Sequence, residues 1–398
     1  MYPNLYFLFQ DLFGIEIEFL KIIQMFGLMM AVSFVFAYWI FSRELKRMEA
    51  EGKIRPFKKK VWQDKAPGMN DYLMNFIFYF IAGYKIVEGA LFFDELTADP
   101  QSFILSGRGN LLGGLAFAAL GVYLVYREAQ KAKGKTPKEV EVLVHPYQMM
   151  GNITFVAAVT GLFGAKLFHI LENLSEFRAD PIGSIVSASG LTYYGSLICG
   201  AIGVLWYVRE YIHWRHMLDA GAAGMMLAYA VGRLGCHLSG DGDWGIVNKN
   251  PKPGALSWLP DWAWAYNYPN NVNKECNPYP DLNNYHNQVC DWEKTPYLID
   301  PVYPTPIYEV IMGLALFAIM WGLRKKVTNW PGMMFCIYLI FAGIERYIIE
   351  QIRVNNIIDF MGMHATQAEI ISVIMVLVGV IGGIYFYKKP VEGFAGMK

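Results

Sequence analysis

The chain has 398 residues, with 34 Lys plus Arg against 34 Asp plus Glu, 55% hydrophobic residues and 16% aromatics. A neutral balance without a basic low-complexity tail argues against nucleic acid or an acidic polymer as partner, and the apolar content argues against an ordinary soluble domain. The five cysteines form no CxxC pair and no His/Cys cluster at zinc-ligand spacing, so neither a structural metal nor a cofactor is expected.

Residues 1–21 lack a basic n-region and a small-residue cleavage site, and read as an interfacial amphipathic helix. Apolar stretches long enough to cross roughly 30 Å of hydrocarbon at about 1.5 Å per residue follow. They lie at 22–41, 73–93, 110–126, 149–171, 191–209, 217–238, 305–324, 331–352 and 366–387. They predict an all-α polytopic membrane protein of about nine transmembrane helices. FIAGYKIVEGALFF in the second stretch loosely echoes GLFGAKLFHILEN in the fourth, each with Gly-x-Lys and a later Glu.

The loops after the first, third and seventh stretches and the C-terminal tail are basic, whereas those near 94–109, 172–190, 239–304 and 353–365 are long or acidic. By the positive-inside rule the basic loops are cytoplasmic, which puts the N-terminus out and the C-terminus in. The chain divides into the N-terminal helix (1–21), a first span (22–41), basic loops with a helical hairpin (42–147), helices ending in a glycine-rich motif (148–247), an outer loop (248–303) and C-terminal helices (304–398). An oxidising compartment would allow Cys276 and Cys290 of the outer loop to pair, while Cys199, Cys236 and Cys336 fall in spans as small packing residues.

A charge near mid-bilayer costs roughly 2.5–3.5 kcal/mol, so charged residues inside apolar helices mark candidate function. In FAGIERYIIEQIRVN, Arg346, Glu350 and Arg353 fall at i, i+4 and i+7 on one helical face. Two guanidiniums flanking one carboxylate leave an unpaired positive charge, suited to a phosphate. The structural alternative is that Glu350 ties helices through Arg346 while Arg353 snorkels to the interface. GRLGCHLSGDGDWG, from Gly232 to Gly245, ends an apolar helix in glycines, a hydroxyl and carboxylates, with Arg233 one turn inside. Such a loop can approach a ligand closely. GLTYYGSLICG, from Gly190 to Gly200, and YPTPIYE, from Tyr303 to Glu309, each open a span and by themselves also fit membrane anchoring and helix initiation.

Taken in order, FGLMM at Phe26, GAKLFHILE at Gly164, GLTYYGSLICG, GRLGCHLSGDGDWG, YPTPIYE and RYIIEQIR resemble the prolipoprotein diacylglyceryl transferases. The resemblance covers the first span and about Gly151 to the C-terminus, and implies a seven-helix core with two inserted helices. It implies transfer of the diacylglyceryl group of phosphatidylglycerol to the lipobox cysteine thiol in the signal peptide of a prolipoprotein. The location implied is the bacterial cytoplasmic (inner) membrane, with the active site facing the periplasm.

On that resemblance the catalytic candidates are Arg233, Arg346, Tyr194 and His237, the arginines for the phosphate and Tyr194 as base or positioning group. The substrate-binding candidates are Phe26, Lys166, Gly195, Gly232, Gly235, Cys236, Gly240, Asp241, Gly245, Tyr308, Glu309, Glu350 and Arg353. The chain departs from the family pattern at Phe26 (usually Tyr), Lys166 (usually Arg), Cys236 (usually Asn) and Tyr303 (usually His). Two other readings use the same residues: a transporter of an anionic lipid or small anion, and an inactive lipoprotein-binding relative.

Overall fold

The computed structural model describes the chain apart from residues 99, 187–191, 279–289, 355–356, 361–362 and 390–398. A short helix, α1 (Leu5–Phe13), opens it. Among the described residues, nine helices of sixteen or more residues stand at the nine apolar stretches. They are α2 (Met25–Ala50), α3 (Met69–Leu91), α6 (Leu111–Ala132), α7 (Met150–Glu172), α10 (Tyr193–Val208), α11 (Trp214–Ser239), α12 (Thr305–Leu323), α13 (Met333–Glu350) and α14 (Gln367–Lys388). Short helices α4 (Phe93–Ala98), α5 (Pro100–Leu105), α8 (Leu174–Ala179) and α9 (Pro181–Val186) fill two of the connections. Five helices, α2, α6, α7 with the turn before it, α12 and α14, are long and apolar enough to cross a membrane, as expected of a multi-pass membrane protein.

The all-α expectation needs one correction. Strand β1 (Phe57–Gln63) pairs antiparallel with β2 (Lys138–Val144), and β3 (Ile357–Phe360) with β4 (Met363–Thr366). Strands β1 and β2 lie far apart in sequence, so no local hairpin turn announces them.

The chain forms two compact units, residues 1–54 with 208–398, and residues 55–207. In the first, α11 is the hub. Its Ala220–Gly224 run is buried, and a Cβ at Gly224 would stand 3.4 Å from the Ala37 carbonyl of α2. On α12, a Cβ at Gly313 would stand 3.0 Å from that of Ala230. Lipid tails give apolar helices little hydrophobic reason to associate, so small residues that let backbones approach supply the packing. Ile40, Met226, Met320, Met334 and Tyr338 fill the core between these helices. Asp219 of α11 accepts from the backbone N–H groups of Gly332 (2.7 Å) and Phe335 (3.0 Å), satisfying donors that the start of α13 would leave open. Helix α14 starts on a capping box of Thr366 and Glu369.

The described part of the loop 248–303 is folded. Cys276 and Cys290 form a disulfide, and Trp244, Tyr268, Leu298 and Val302 make a small core. The glycine motif is held from two sides, with Gly245 N–H donating to Tyr303 O (2.9 Å) at the end of the loop and Ile246 N–H to Ile352 O (2.8 Å) in the turn after α13. The N-terminus closes on the same end of α11, where Tyr2 N–H donates to Leu238 O at 2.8 Å.

The second unit repeats one order of elements, and the Gly-x-Lys echo falls at matching places in the two runs. Each copy runs strand, long helix, two short helices, long helix: β1, α3, α4, α5, α6, then β2, α7, α8, α9, α10. Gly83, Lys85 and Pro100 have the same spacing as Gly164, Lys166 and Pro181, and Ala-Asp-Pro closes both series. Both strands have seven residues, and α3 and α7 both have 23. In each copy a glycine of the first long helix lies against a glycine near the start of the second, Gly83 on Gly113 and Gly164 on Gly195. Lys85 donates to the carbonyls of Phe103 (3.2 Å), Ser106 (2.5 Å) and Arg108 (2.7 Å), so that charge ties down its own hairpin.

Candidate active site

The first unit brings Arg233, Arg346 and Arg353 together. Glu309 is their meeting point. It lies in the second turn of α12 and its side chain is fully buried. Arg233 Nε approaches Glu309 Oε2 at 3.4 Å, while Arg346 and Arg353 approach Oε1 at 3.6 and 3.8 Å. Tyr229 of α11 donates its hydroxyl to the same Oε1 at 3.0 Å and lies 3.2 Å from Glu345 Oε1. Glu350 pairs with Arg346 at 3.1 Å and accepts from Thr366 Oγ1 at 2.7 Å.

Asp243 completes the cluster. Its carboxylate is bound by Arg233 at one oxygen and by Arg353 at 2.7 Å on the other. The glycine motif aims it: Gly240 and Gly242 take φ of +65° and +95°, a conformation that suits residues without a Cβ. Thr305 Oγ1 then holds the Asp243 carbonyl at 2.8 Å, and Gly245 forms a β-bridge with Arg353. Gly245 leaves room for that bridge, since a Cβ there would stand 2.5 Å from the Ile352 carbonyl.

Burial raises the Asp243 carboxyl, but the two guanidiniums outweigh it and hold the group down at about 2. Burial, reinforced by Asp243, pushes Asp241 up instead. Two carboxyls two residues apart are thus driven in opposite directions.

The expectation of two guanidiniums around one carboxylate with charge to spare is therefore corrected. Three arginines face Glu309, Glu350 and Asp243, because α12 adds a buried carboxylate that the periodicity of α13 cannot reveal. The pairs are loose in places: Nη1 of Arg346 and both Nε and Nη1 of Arg353 are buried without a hydrogen bond of normal geometry. Guanidiniums held by long ion pairs are ready to take a better acceptor.

The other expected site residues divide by location. Gly232 and Gly235 face α2, Gly235 against Phe26 Cα at 3.6 Å from a Cβ position. Cys236 Sγ lies 3.8 Å from Arg233 Nη1. Cys236, Asp241 and Asp243 gather their ligand atoms within 4.8 Å, but both oxygens of Asp243 already serve arginines, which disfavours a cation there. His237 stands among Trp262, Tyr266 and Tyr268, with Nδ1 3.3 Å from the Tyr268 hydroxyl. Tyr308 donates to Ala263 O at 2.8 Å, fastening the outer loop to α12.

Lys166, Tyr194 and Gly195 belong to the second unit, on α7 and α10; the Tyr194 side chain lies outside the described residues. Tyr229, Asp243 and Glu345 escaped the sequence reading. The second Asp of Gly-Asp-Gly-Asp and the Glu beside Arg346 were the available signals.

A family profile described as prolipoprotein diacylglyceryl transferase matches residues 110–385. The match takes in α6, which the motifs alone assigned to an insertion. The chain is similar to the phosphatidylglycerol–prolipoprotein diacylglyceryl transferase of Dehalococcoides mccartyi, at 27% identity over 62% of this chain and 80% of that protein. The enzymes of the same name from Streptococcus agalactiae (26%; 67% and 86%) and Lactococcus lactis (28%; 70% and 88%) are similarly related. With the profile covering every element that builds the arginine cluster, the chain belongs to the prolipoprotein diacylglyceryl transferase family.

Proposed function

We propose that this protein transfers the diacylglyceryl group of phosphatidylglycerol to the lipobox cysteine thiol in the signal peptide of a prolipoprotein. The observation that carries the reading is the convergence of Arg233, Arg346 and Arg353 from separate segments of a membrane protein of this family. The substrate sulfur forms a bond to the glyceryl carbon, the carbon–oxygen bond to phosphate breaks, and glycerol phosphate leaves with the electron pair. The thiol proton goes to a base.

Charge grows on the phosphate oxygens during that step, and fixed guanidiniums in a water-poor site stabilise it without risk of deprotonation. A lipid phosphate replaces Asp243 on Arg233 and Arg353, the one carboxylate of the cluster carried by a loop. Glu309 and Glu350 keep the arginines oriented. The base is Tyr194 by the family pattern, with His237 as the other candidate. The site opens to the periplasmic face of a bacterial inner membrane, spanned by nine helices with the N-terminus outside.

Purified protein given phosphatidylglycerol and a lipobox peptide is expected to yield thioether-linked peptide and glycerol phosphate, and none with a Cys→Ser peptide. Intact lipid binding without product would sink the reading in favour of transport or a scaffold.

A further inference from the structure

The β1–β2 ribbon carries its own symmetry. Lys60 pairs with Glu141, and these two residues occupy equivalent places in the two copies of the repeated order. The exchange of copies therefore runs through the middle of the ribbon. It also swaps the ion pairs Lys58–Glu141 (3.2 Å) and Lys60–Glu139 (3.5 Å), lysines in the first copy facing glutamates in the second.

Each copy contributes two long helices, so both copies start on the same side of the membrane. Parallel repeats of this kind are exchanged by an axis along the membrane normal. An antiparallel strand pair is exchanged by an axis perpendicular to its plane, so the ribbon plane lies parallel to the bilayer. The connections agree: β2 enters α7 through a single turn, Pro146–Met149, and the other end of the ribbon joins α3 and α6 through residues 64–68 and 133–137.

Alternate residues of a strand face opposite ways. One face carries Phe57, Val61, Val140, Val142 and Val144 with Lys59 and Lys138, and no carboxylate. The other carries Lys58, Lys60, Trp62, Glu139, Glu141 and Leu143, and so holds both ion pairs. Val61, Val140 and Val142 are 44%, 37% and 45% exposed on an isolated two-stranded ribbon, which is marginal in water without further cover.

We propose that the valine face lies on the cytoplasmic surface of the bilayer, with Lys59 and Lys138 binding acidic phospholipid headgroups, so that the ribbon anchors the repeated hairpins to the lipid. Five Lys or Arg against one Asp in residues 55–65 give the segment the charge that an anionic leaflet attracts. The proposal rests on α3, α6, α7 and α10 being membrane spans and is independent of the transfer reaction.

Single cysteines at two pairs of equivalent positions test it: Val61→Cys and Val142→Cys on the valine face, Trp62→Cys and Leu143→Cys on the other. The full chain is reconstituted in nanodiscs of phosphatidylcholine with or without phosphatidylserine, an acidic lipid that is not the proposed donor. Reaction with a charged thiol reagent is measured above the background of Cys199, Cys236 and Cys336. The valine-face pair reacts more slowly only when phosphatidylserine is present. Replacing Lys59 and Lys138 by Glu restores the rate by about fivefold per lysine, with helix content unchanged by circular dichroism. Equal rates on the two faces, or protection that persists in neutral lipid and in detergent, would overturn the proposal, the latter by showing that protein covers the face.

Discussion

The first unit holds two clusters of buried charge that are built differently. Around Glu309, arginines from α11, α13 and the turn after α13 meet carboxylates from α12, α13 and a loop. Around Glu44, two of the contacts run along α2 itself, Arg47 reaching Glu44 at i,i+3 and Glu51 at i,i+4 (2.6 Å), with Arg324 added from the end of α12 at 3.4 Å. Arg324 also stacks on Trp321 at 3.5 Å. The local cluster closes on itself and ties helix ends together. The convergent one draws on segments far apart in the chain and ends in a carboxylate carried by a loop. Location inside apolar helices alone does not separate a site from a strut; the separation of the partners along the chain does.

The sharpest way to break this contrast is to remove an arginine from each cluster. Arg233→Ala or Arg346→Ala is expected to lower turnover by about 100–1,000-fold or more, the scale of a lost transition-state donor. Arg→Lys retains part of the rate because charge remains while the bidentate fork is lost. Arg324→Ala should leave turnover within a few-fold, and comparable losses at both clusters in a product assay would remove the distinction.

Glu309→Gln comes next. It removes the one carboxylate that all three guanidiniums share and is expected to destabilise the protein by about 3–5 kcal/mol, read as thermal unfolding in detergent. Glu44→Gln should cost less, about 1–3 kcal/mol, since Arg47 keeps Glu51.

The smallest effect is a pH dependence. Asp243 is held at about 2, below its usual value near 3.8, so its contribution to stability is complete above the ordinary carboxylate range. That contribution is lost as pH falls toward 2, and it is flat from pH 5 to 8. In Asp243→Asn this part of the acid limb should vanish from unfolding midpoints measured against pH. Because the amide also frees Arg233 and Arg353, lipid phosphate should bind no more weakly than in the parent protein.

Much of this was legible in the sequence. Nine apolar stretches located nine long helices among the described residues, five of them long and apolar enough to cross a membrane. Arg233, Arg346, Glu350 and Arg353 stood out because charge is costly there. The possible pairing of Cys276 with Cys290 was also visible, and the structure joins them. Asp243 was not singled out, since only the two left-handed glycines show that the second Asp of the motif turns toward the arginines. The β1–β2 ribbon was hidden too, as its strands pair across more than seventy residues of intervening chain with no hairpin turn between them.

Helix positions, charge placement and family motifs were thus determined by the sequence itself, because each depends on local composition, periodicity or short spacing. Which carboxylates meet which arginines, and that Glu309 rather than Glu350 is the centre, was decided only by tertiary structure. Those contacts join α11, α12, α13 and a glycine loop across long stretches of chain, and no local period carries that information.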